Sequence, residues 1–572
     1  MALKVVYSNA PNLAGKGMTI TSSEHQVFGD ASGLTGNGFK DTPWATLEPG
    51  SWLLDGTREL INTPGEIGWW SAERSDNNGS FQGSVPYIKI SFNPGEQVSA
   101  PGTTFRFSPS TNEWCNEMRI TWRFVDAKDP NPDMGGDIIA QETVFPDSAD
   151  WYVEKEVDGF NIVVFEFLGT NVPRHFLKMQ SIQMGQTHLF FQDEIVSVSI
   201  LNEFDPVGCE LSADEMTIEV RDKKNRSIAP QEGQKIEFYQ NDKLIAAHYL
   251  QKFTREGESK YTFKCNSAIS MLDDTFLGGF YENERLQISQ DDVYGGLLVD
   301  VLGNIPFYLD PKFAFETVTG YLPVCTRREA LQQIAFVIGA SITTQGSGSI
   351  CIKPIADNAI AEPVSGFGDS AVFAGSTLTK EVRPTKINVV SHNYQKSDEA
   401  ETLLRGVEVA NGEVIVFDEP HWGYEVTAGS EIIEIEAHDN WVKIFAESPG
   451  SFTLTGKKYI HSTTDNIWKS TQTGSENAVE VKNATLVSKY NVRHALERMV
   501  YYYSLPNLFS GTVVVKDEQA GDVVEIVNPY GNNLTSGYIT SMESDFTSNG
   551  HTASIKIRGV DVPRRNAEVL KL

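Results

Sequence analysis

Short runs of residues that alternate between apolar and polar recur along almost the whole chain. In the first 190 residues they include YIKISF (87–92), MRITWRFV (118–125) and FNIVVFEFLG (160–169). A period of two puts alternate side chains on opposite faces of an extended strand, so each run predicts a β-strand with one buried face. Turn residues separate the runs. Residues 1–190 are therefore predicted to form an all-β sandwich.

A second group of runs begins near Glu194. It extends from EIVSVSIL (194–201) to KYTFKC (260–265), and Asn241-Asp242 stands where a hairpin turn is needed. Closely spaced short strands of this kind indicate a small β-barrel within residues 191–280.

Helical spacing appears in the next segment, residues 281–375. In SQDDVYGGLLVDVLG (289–303) apolar residues recur at the helical period, and Gly303 supplies a stop. Thr326, followed three residues later by Glu329, predicts a capping box for a helix that ends at Gly339. With the hairpin that closes near residue 355, these features predict an α/β domain.

Cys325 lies immediately before that predicted helix. The positive end of a helix lowers the pKa of a nearby thiol, so a nucleophile is physically reasonable here. A nucleophile would also need a histidine, and the nearest in sequence are His248 and His392. The alternative is a structural cysteine that packs against the helix, and this is the role that we expect.

After residue 376 the pattern returns to strands. KINVVSHNYQ (386–395) is one, residues 401–475 are strand-rich, and the chain ends in a further strand series. NVRHALERMVYYYSLP predicts one more helix, which Pro506 prevents from continuing.

The formal net charge of −29 restricts the choice of partners. Seventy-six acidic residues stand against 47 basic ones. Such a surface repels phosphate backbones, so specific nucleic-acid binding is not expected. Five scattered cysteines without a CxxC motif indicate reduced, buried thiols. No apolar run is long enough to span a membrane, and the N-terminal residues do not resemble a signal peptide.

Several of these segments resemble a known family. GYLPVCTRREALQQIAFVIGA (320–340), preceded by GNIPFYLDP (303–311), resembles baseplate hub or tail-tip proteins of phages and prophages of Gram-positive bacteria. The similarity extends upstream to EIVSVSIL and downstream to GDVVEIVNPYGNNLTSGYITSMESDF. VPYIKISF and VDGFNIVVFEFLG in the first 190 residues resemble a discoidin-like, carbohydrate-binding jelly roll.

The resemblance implies a mainly β protein with an α/β insertion. It implies a jelly-roll β-sandwich in 1–190, a first hub barrel in 191–280 and an α/β hub domain in 281–375. A second hub barrel would be assembled from 376–400 and 476–572, with its strands beginning at Lys386. Residues 401–475 would be a β-rich peripheral insertion.

The resemblance also implies a structural role and no catalysis. Three copies would form a ring of six barrels at the tail tip of a virion, assembled in the cytoplasm of the bacterial host. The implied partners are a tail tube or distal tail protein, a tape measure protein and other baseplate proteins. An acidic lumen would repel DNA during ejection, although a generally solvated acidic surface would explain the charge equally well.

One segment of the jelly roll suggests ligand binding. Trp69 and Trp70 are adjacent, so on a strand one would enter the core and the other could stack on a sugar of the host cell wall. Asp76, Asn77 and Asn78, with Asp55, could offer oxygens to a structural calcium ion. The alternative is that both tryptophans are core residues and the asparagines form a turn.

Two other functions are alternatives, a glycan-binding adhesin and a cell-wall hydrolase. The sequence contains no HExxH or GxSxG motif, and His421, His438 and His461 do not follow a metal-binding spacing. No cofactor other than the candidate calcium ion is expected.

Overall fold

The structure is a computed structural model. It describes residues 2–9, 18–23, 69–83, 85–107, 112–126, 136–179, 181–205, 207, 211–223, 228, 230, 232–241, 243–257, 259–287, 296–303, 305–344, 346, 348–355, 365–368, 370–428, 432–446, 450–471, 477–527, 533–547 and 550–563. Asp55 lies outside these residues.

The described elements are mostly strands, as predicted. Those up to residue 191 are β1 (Leu3–Asn9), β2 (Met18–Ser22), β3 (Trp69–Arg74), β4 (Tyr87–Phe92), β5 (Val98–Ala100), β6 (Thr103–Arg106), β7 (Cys115–Phe124), β8 (Asp137–Val144), β9 (Asp150–Val153), β10 (Val157–Phe160), β11 (Ile162–Thr170), β12 (Phe176–Met179), β13 (Ser181–Met184) and β14 (Gln186–Phe191). The next are β15 (Ile195–Glu203), β16 (Glu215–Arg221), β17 (Lys235–Gln240), β18 (Lys243–Glu256), β19 (Lys260–Asn266), β20 (Thr275–Phe276), β21 (Gly279–Arg285), α1 (Leu297–Leu302), β22 (Phe307–Leu309), β23 (Thr317–Leu322), β24 (Cys325–Thr326), α2 (Arg327–Ile338), β25 (Ala340–Thr343), β26 (Ile350–Pro354), β27 (Ser365–Phe367) and β28 (Thr377–Lys380).

The last elements are β29 (Lys386–Val409), β30 (Val414–Val416), β31 (His421–Ala428), β32 (Ile432–Ala437), β33 (Trp441–Ala446), β34 (Gly450–Lys469), β35 (Ala478–Val481), α3 (Val492–Ser504), β36 (Asn507–Val514), β37 (Val523–Val527), β38 (Asn533–Thr547) and β39 (Gly550–Pro563). Short 3-10 helices occupy Ala268–Asp273 and Pro311–Phe313. Among the described residues, no helix is both long enough and apolar enough to cross a membrane.

The chain divides into two compact units. The N-terminal unit comprises Val5–Phe190 and Lys224–Ile236, and the C-terminal unit comprises Met1–Lys4, Phe191–Lys223 and Glu237–Leu572.

The N-terminal unit is built from antiparallel sheets. Its main sheet has the order β2-β4-β11-β7-β8, and smaller sheets pair β10 with β5, β12 with β3, and β13 with β6 and β9. Strand β4 alternates between half-buried and buried residues, as its sequence predicts. The buried faces meet in an aromatic core in which Phe105 packs edge-on against Phe165 with ring centroids 5.2 Å apart. The jelly-roll topology of this unit stays a prediction.

The C-terminal unit contains a sheet that joins two distant parts of the chain. Its strands follow the order β17-β18-β19-β16-β15-β38-β39-β36-β28, and β27 pairs with β37, which pairs with β38. The junction is the antiparallel pairing of β15 with β38, from Val198 opposite Phe546 to Glu203 opposite Ser541. Strands of residues 195–266 and 507–563 therefore lie side by side although an α/β segment separates them in sequence.

The predicted turn at Asn241 is confirmed. Asn241 lies between β17 and β18 with a φ of 49°. Asparagine tolerates this left-handed conformation better than most residues, which explains its place in the hairpin.

The helix signals are confirmed for α2 and α3. Thr326 Oγ1 accepts from the Glu329 amide, Glu329 Oε2 accepts from the Thr326 amide, and Gly339 ends the helix at a φ of 76°. Helix α3 ends at Ser504, just before Pro506. Within the predicted run 289–303 the described helix α1 covers only Leu297–Leu302. The described helices α1, α2 and α3 contribute to one apolar core through buried residues such as Val301, Leu331, Ile334 and Met499.

The prediction that Lys386 begins a strand of the second barrel is wrong. Strand β29 pairs along its length with β34, and at Lys386–Val389 its other edge pairs with β35. Both edges of β29 at Lys386–Val389 are therefore occupied by β34 and β35. Strand β29 also continues past residue 400, where the sequence predicts a domain boundary. The strands that join the C-terminal series are instead β27 and β28.

Candidate functional site

Both tryptophans of the predicted ligand segment are buried. Trp69 is 0% exposed and Trp70 is 5% exposed. Trp69 packs on Phe167 inside the core, whereas Trp70 lies beside Phe176 and under the ammonium group of Lys178. The sequence correctly places the two rings on different faces, but the second face is covered as well. Both rings are therefore largely covered by protein in this structure.

The polar residues of that segment form a turn. Asp76 Oδ1 accepts hydrogen bonds from the amides of Asn78 (2.8 Å) and Ser80 (2.9 Å). Asn77 Oδ1 accepts from Arg174 Nε at 2.6 Å. These oxygens therefore already have protein donors, which favours the turn interpretation. Ligand or calcium binding at Trp69, Trp70, Asp76, Asn77 and Asn78 stays a prediction. The described residues hold no group of three His, Cys, Asp or Glu side chains suited to a metal ion.

A buried charge cluster next to Trp70 was not predicted. Lys178 is 1% exposed, and its Nζ lies 3.7 Å from Glu113 Oε2. Glu113 Oε1 lies 2.8 Å from His175 Nδ1. Buried lysines are rare unless they are paired. In the sequence, FLKM (176–179) gives a weak signal, because Lys178 interrupts an otherwise apolar strand.

Cys325 lacks the properties of a nucleophile. Burial, with a smaller contribution from the Glu329 carboxylate, raises the pKa of its thiol to about 12. The thiol is therefore protonated at neutral pH, despite its place before helix α2.

Neither candidate histidine pairs with Cys325. Nδ1 of His392 lies 3.0 Å from His461 Nε2, and its Nε2 lies 2.9 Å from the carbonyl oxygen of Lys482. The ring of His248 is buried, and among the described groups it makes no hydrogen bond to Cys325. The structural role expected for Cys325 is thus the one that its surroundings favour.

The three histidines of residues 401–475 occupy separate environments. His421 is 5% exposed and its Nε2 lies 2.7 Å from Glu401 Oε1. His438 stacks on Trp441 with ring centroids 4.2 Å apart, and His461 stacks on Tyr394. These contacts agree with the expectation of hydrogen-bonded or solvated structural histidines.

The turn between β32 and β33 connects residues 401–475 to the segment that contains β21 and β23. Asp439 Oδ2 accepts from the amide of Phe280 at 3.0 Å, and Asp439 Oδ1 accepts from the hydroxyl of Tyr459 at 3.0 Å. The neighbouring Asn440 accepts from Tyr321 Oη at 2.7 Å and donates to the carbonyl oxygen of Leu277 at 2.8 Å. We call these contacts the Asp439 joint.

Aromatic rings enclose the Asp439 joint. The ring of Phe280 lies 4.4 Å from that of Tyr459 and 4.7 Å from that of Tyr321, centroid to centroid. Burial, and then the Asp439 carboxylate, raise the pKa of Tyr459, so its hydroxyl remains a donor across the physiological range. The sequence HDNW (438–441) signals a polar turn but not what the turn contacts.

Comparison with known proteins gives low similarities only. No protein-family model matches the chain, and no curated protein matches it. Among solved structures it is similar to a tail protein from Neisseria meningitidis MC58, with 10% identity over 65% of this chain and 94% of that one and a TM-score of 0.39. It is similar to the 43 kDa tail protein of prophage MuSo2 from Shewanella oneidensis, with 12% identity over 65% and 95% and a TM-score of 0.37.

A third similar structure is the prophage tail protein gp18 from Listeria monocytogenes EGD-e. It is 10% identical over 64% of this chain and 91% of that one, with a TM-score of 0.36. Similarities of this size do not assign the chain to a family.

Proposed function

We propose that this chain is a structural component of the tip of a phage tail or phage-like particle, in which three copies form a hub ring. The proposal starts from the sequence resemblance and rests on one structural observation. That observation is the pairing of Ile195–Glu203 with Asn533–Thr547, which joins two separate sets of strands in one sheet. A chain with two adjacent β modules is what three identical subunits need in order to present six modules around an axis.

The second set of strands has an apolar core of its own. Strands β27 and β36–β39, with Val515 just after β36, contribute these buried residues: Phe367, Phe509, Val513, Val515, Val524, Ile526, Ile539, Met542, Ala553, Ile555 and Ile557. A separate core supports the interpretation of these strands as a second module rather than as an extension of the first.

The outer edge of β28, the last strand of the sheet that contains β15 and β38, supports contact between copies. Strand β28 ends the order of strands given above, so its outer edge has no partner among the described strands. Near it lie exposed apolar side chains: Phe373 is 49% exposed, Val382 81% and Val514 45%. An unpaired strand edge with exposed apolar side chains nearby is a surface with which a strand of another chain can pair.

The remaining parts of the proposal follow from the tail-tip role. The partners would be the tail tube or distal tail protein, the tape measure protein and other baseplate proteins, and the location would be the virion. The net charge of −29 would keep DNA from adhering to the lumen during ejection. The protonated Cys325 thiol supports a structural rather than a catalytic role.

Native mass spectrometry of the full chain, together with negative-stain electron microscopy, tests the proposal. We expect trimers with a central channel. The double variant Phe373→Glu/Val382→Glu should lower the trimer fraction at least tenfold. Phe315→Glu, at a side chain 87% exposed in the α/β segment, is the matched control and should leave it unchanged. A monomer at micromolar concentration that also fails to assemble on tail tubes would contradict the proposal.

A further inference from the structure

Part of strand β34 has an edge that no described strand covers. β31 pairs with β34 only as far as Lys458, which lies opposite His421. On its other side β34 pairs with β29 without a register shift from Tyr459 to Lys469. From Tyr459 to Ile467 the outer side of β34 therefore faces no strand in the described part of the chain. We call this stretch the open edge, and residues 460–465 in it are all exposed.

The register shows which backbone groups point outward. Thr463 lies opposite His392, and the His392 amide donates not to β34 but to the carbonyl oxygen of Val487 at 2.8 Å. Thr463 and His392 are therefore a non-hydrogen-bonded pair, so the N–H and C=O of Thr463 point away from β29. Because direction alternates along a strand, the same holds for His461 and Asp465.

The open edge lacks most of the devices that protect edge strands. Such devices are proline, lysine, bulges and short length. Residues 459–467 contain no proline and no lysine, and the ladder that holds them has no bulge. Ile460 is 58% exposed and Ile467 is 42% exposed. A long, regular edge with exposed β-branched residues is a template for strand addition.

The geometry excludes one register of pairing with a second copy. Consider a second copy whose β34 pairs antiparallel with the open edge so that Thr463 faces Thr463. Trp468 of the copy would then face Lys458, where His421 of β31 already pairs. Trp468 of the copy cannot move aside, because up to Lys469 its strand pairs with its own β29. A short extended segment, free of a sheet of its own, has no such conflict.

We propose that the open edge binds one extended segment of another polypeptide, which adds to the sheet antiparallel to β34. The side chains of His461, Thr463 and Asp465 lie on one face of the strand. Opposite charges and paired threonines are favoured directly across strands. The matching segment therefore carries lysine or arginine opposite Asp465 and threonine or another β-branched residue opposite Thr463.

The test uses the full chain and a fluorescent peptide, acetyl-VTKVTSTV-amide. Its third residue, lysine, would lie opposite Asp465, and its fifth, threonine, opposite Thr463. We expect saturable binding by fluorescence anisotropy. N-methylation of the fifth residue removes a donor to β34 and should weaken binding at least tenfold. N-methylation of the fourth residue, whose N–H points away, is the matched control and should have little effect.

Variants of the chain complete the test. Thr463→Pro removes an outward N–H without loss of a ladder bond and should weaken binding at least tenfold. Asp465→Lys should also weaken it, whereas Thr464→Val should not. Hydrogen exchange of the Thr463 amide should slow when the peptide binds.

Three results would overturn the proposal. The first is no binding at millimolar peptide, and the second is equal binding of the two N-methylated peptides. The third is self-association of the chain that Thr463→Pro abolishes, because the occupant would then be a second copy.

Discussion

The hydroxyl of Thr344 donates a 2.7 Å hydrogen bond to the carboxylate of Asp214, and both side chains are buried. The bond connects the end of β25 in the α/β segment to the start of β16 in the first set of strands. Burial raises the pKa of Asp214 from 3.8 to about 6, although the bonds from Thr344 and Asn202 act in the opposite direction. This carboxyl group therefore makes the stability of the fold depend on pH.

Asp214→Asn should change that pH dependence. Since the folded pKa lies above the unfolded one, the folded state binds more protons between pH 3.8 and 6. The contribution of Asp214 is full below pH 3.8 and is lost as the pH rises through 6. The variant should remove a loss of roughly 3 kcal/mol between pH 4 and 7.5, measured by urea unfolding. Asp398→Asn, at a 95% exposed side chain, is the control. Parallel profiles for Asp214→Asn and the parent chain would rule out this account.

His248 should make the free energy of unfolding depend on pH in the direction opposite to Asp214. Its side chain is 1% exposed, and burial lowers its pKa from 6.5 to about 4. Between these values the unfolded state binds more protons, so stability falls as the pH drops, by about 1.4 kcal/mol per pH unit. His248→Leu should flatten the urea-unfolding profile from pH 6.5 to 4 relative to the parent chain. His438→Leu, at a half-exposed ring, should leave that slope in place. An unchanged slope in His248→Leu would show that the ring is hydrated.

The contributions of Lys178 and Glu113 to the free energy of unfolding should depend on each other. Lys178→Met leaves the buried Glu113 carboxylate without its ammonium partner and should cost about 3–5 kcal/mol in the free energy of unfolding. Lys178→Met/Glu113→Gln removes both charges and should recover much of that loss. Thermal unfolding of the parent chain, Lys178→Met, Glu113→Gln and the double variant gives the coupling energy. Additive effects would mean that the two groups do not interact.

Cys325 should react slowly with alkylating reagents. At pH 8 a thiol with a pKa of about 12 has about a thousandfold less thiolate than one at the ordinary value of 9.0. Mass-spectrometric mapping of iodoacetamide labelling should show slow modification in the native chain and fast modification in guanidinium chloride. Rapid labelling of the native chain would restore the nucleophile interpretation.

Asp439→Leu should loosen the Asp439 joint. The substitution leaves the partly buried Phe280 amide and Tyr459 hydroxyl without their acceptor, at a cost of about 1 kcal/mol for each group. The Phe280 amide should then exchange its hydrogen at least tenfold faster, as measured by NMR or mass spectrometry. Asp418→Leu, at an exposed residue, is the control. If exchange at Phe280 did not change, the joint would not depend on Asp439.

The sequence by itself determined the elements whose cause is local. The Thr326–Glu329 capping box involves four consecutive residues, the Asn241 turn needs one left-handed residue, and alternation fixes the two faces of β4. Each of these is decided by the covalent neighbourhood, so its signal is complete within a short window of sequence.

Only the tertiary structure decided which strands pair and what covers each face. The backbone donors and acceptors of a strand are the same for any partner, so nothing within Ile195–Glu203 specifies Asn533–Thr547, and nothing within β29 specifies β34. Whether a side chain is buried also depends on residues that are distant in sequence. Trp70 is enclosed by residues from another strand, and the pKa of Cys325 is raised mainly by burial of the thiol.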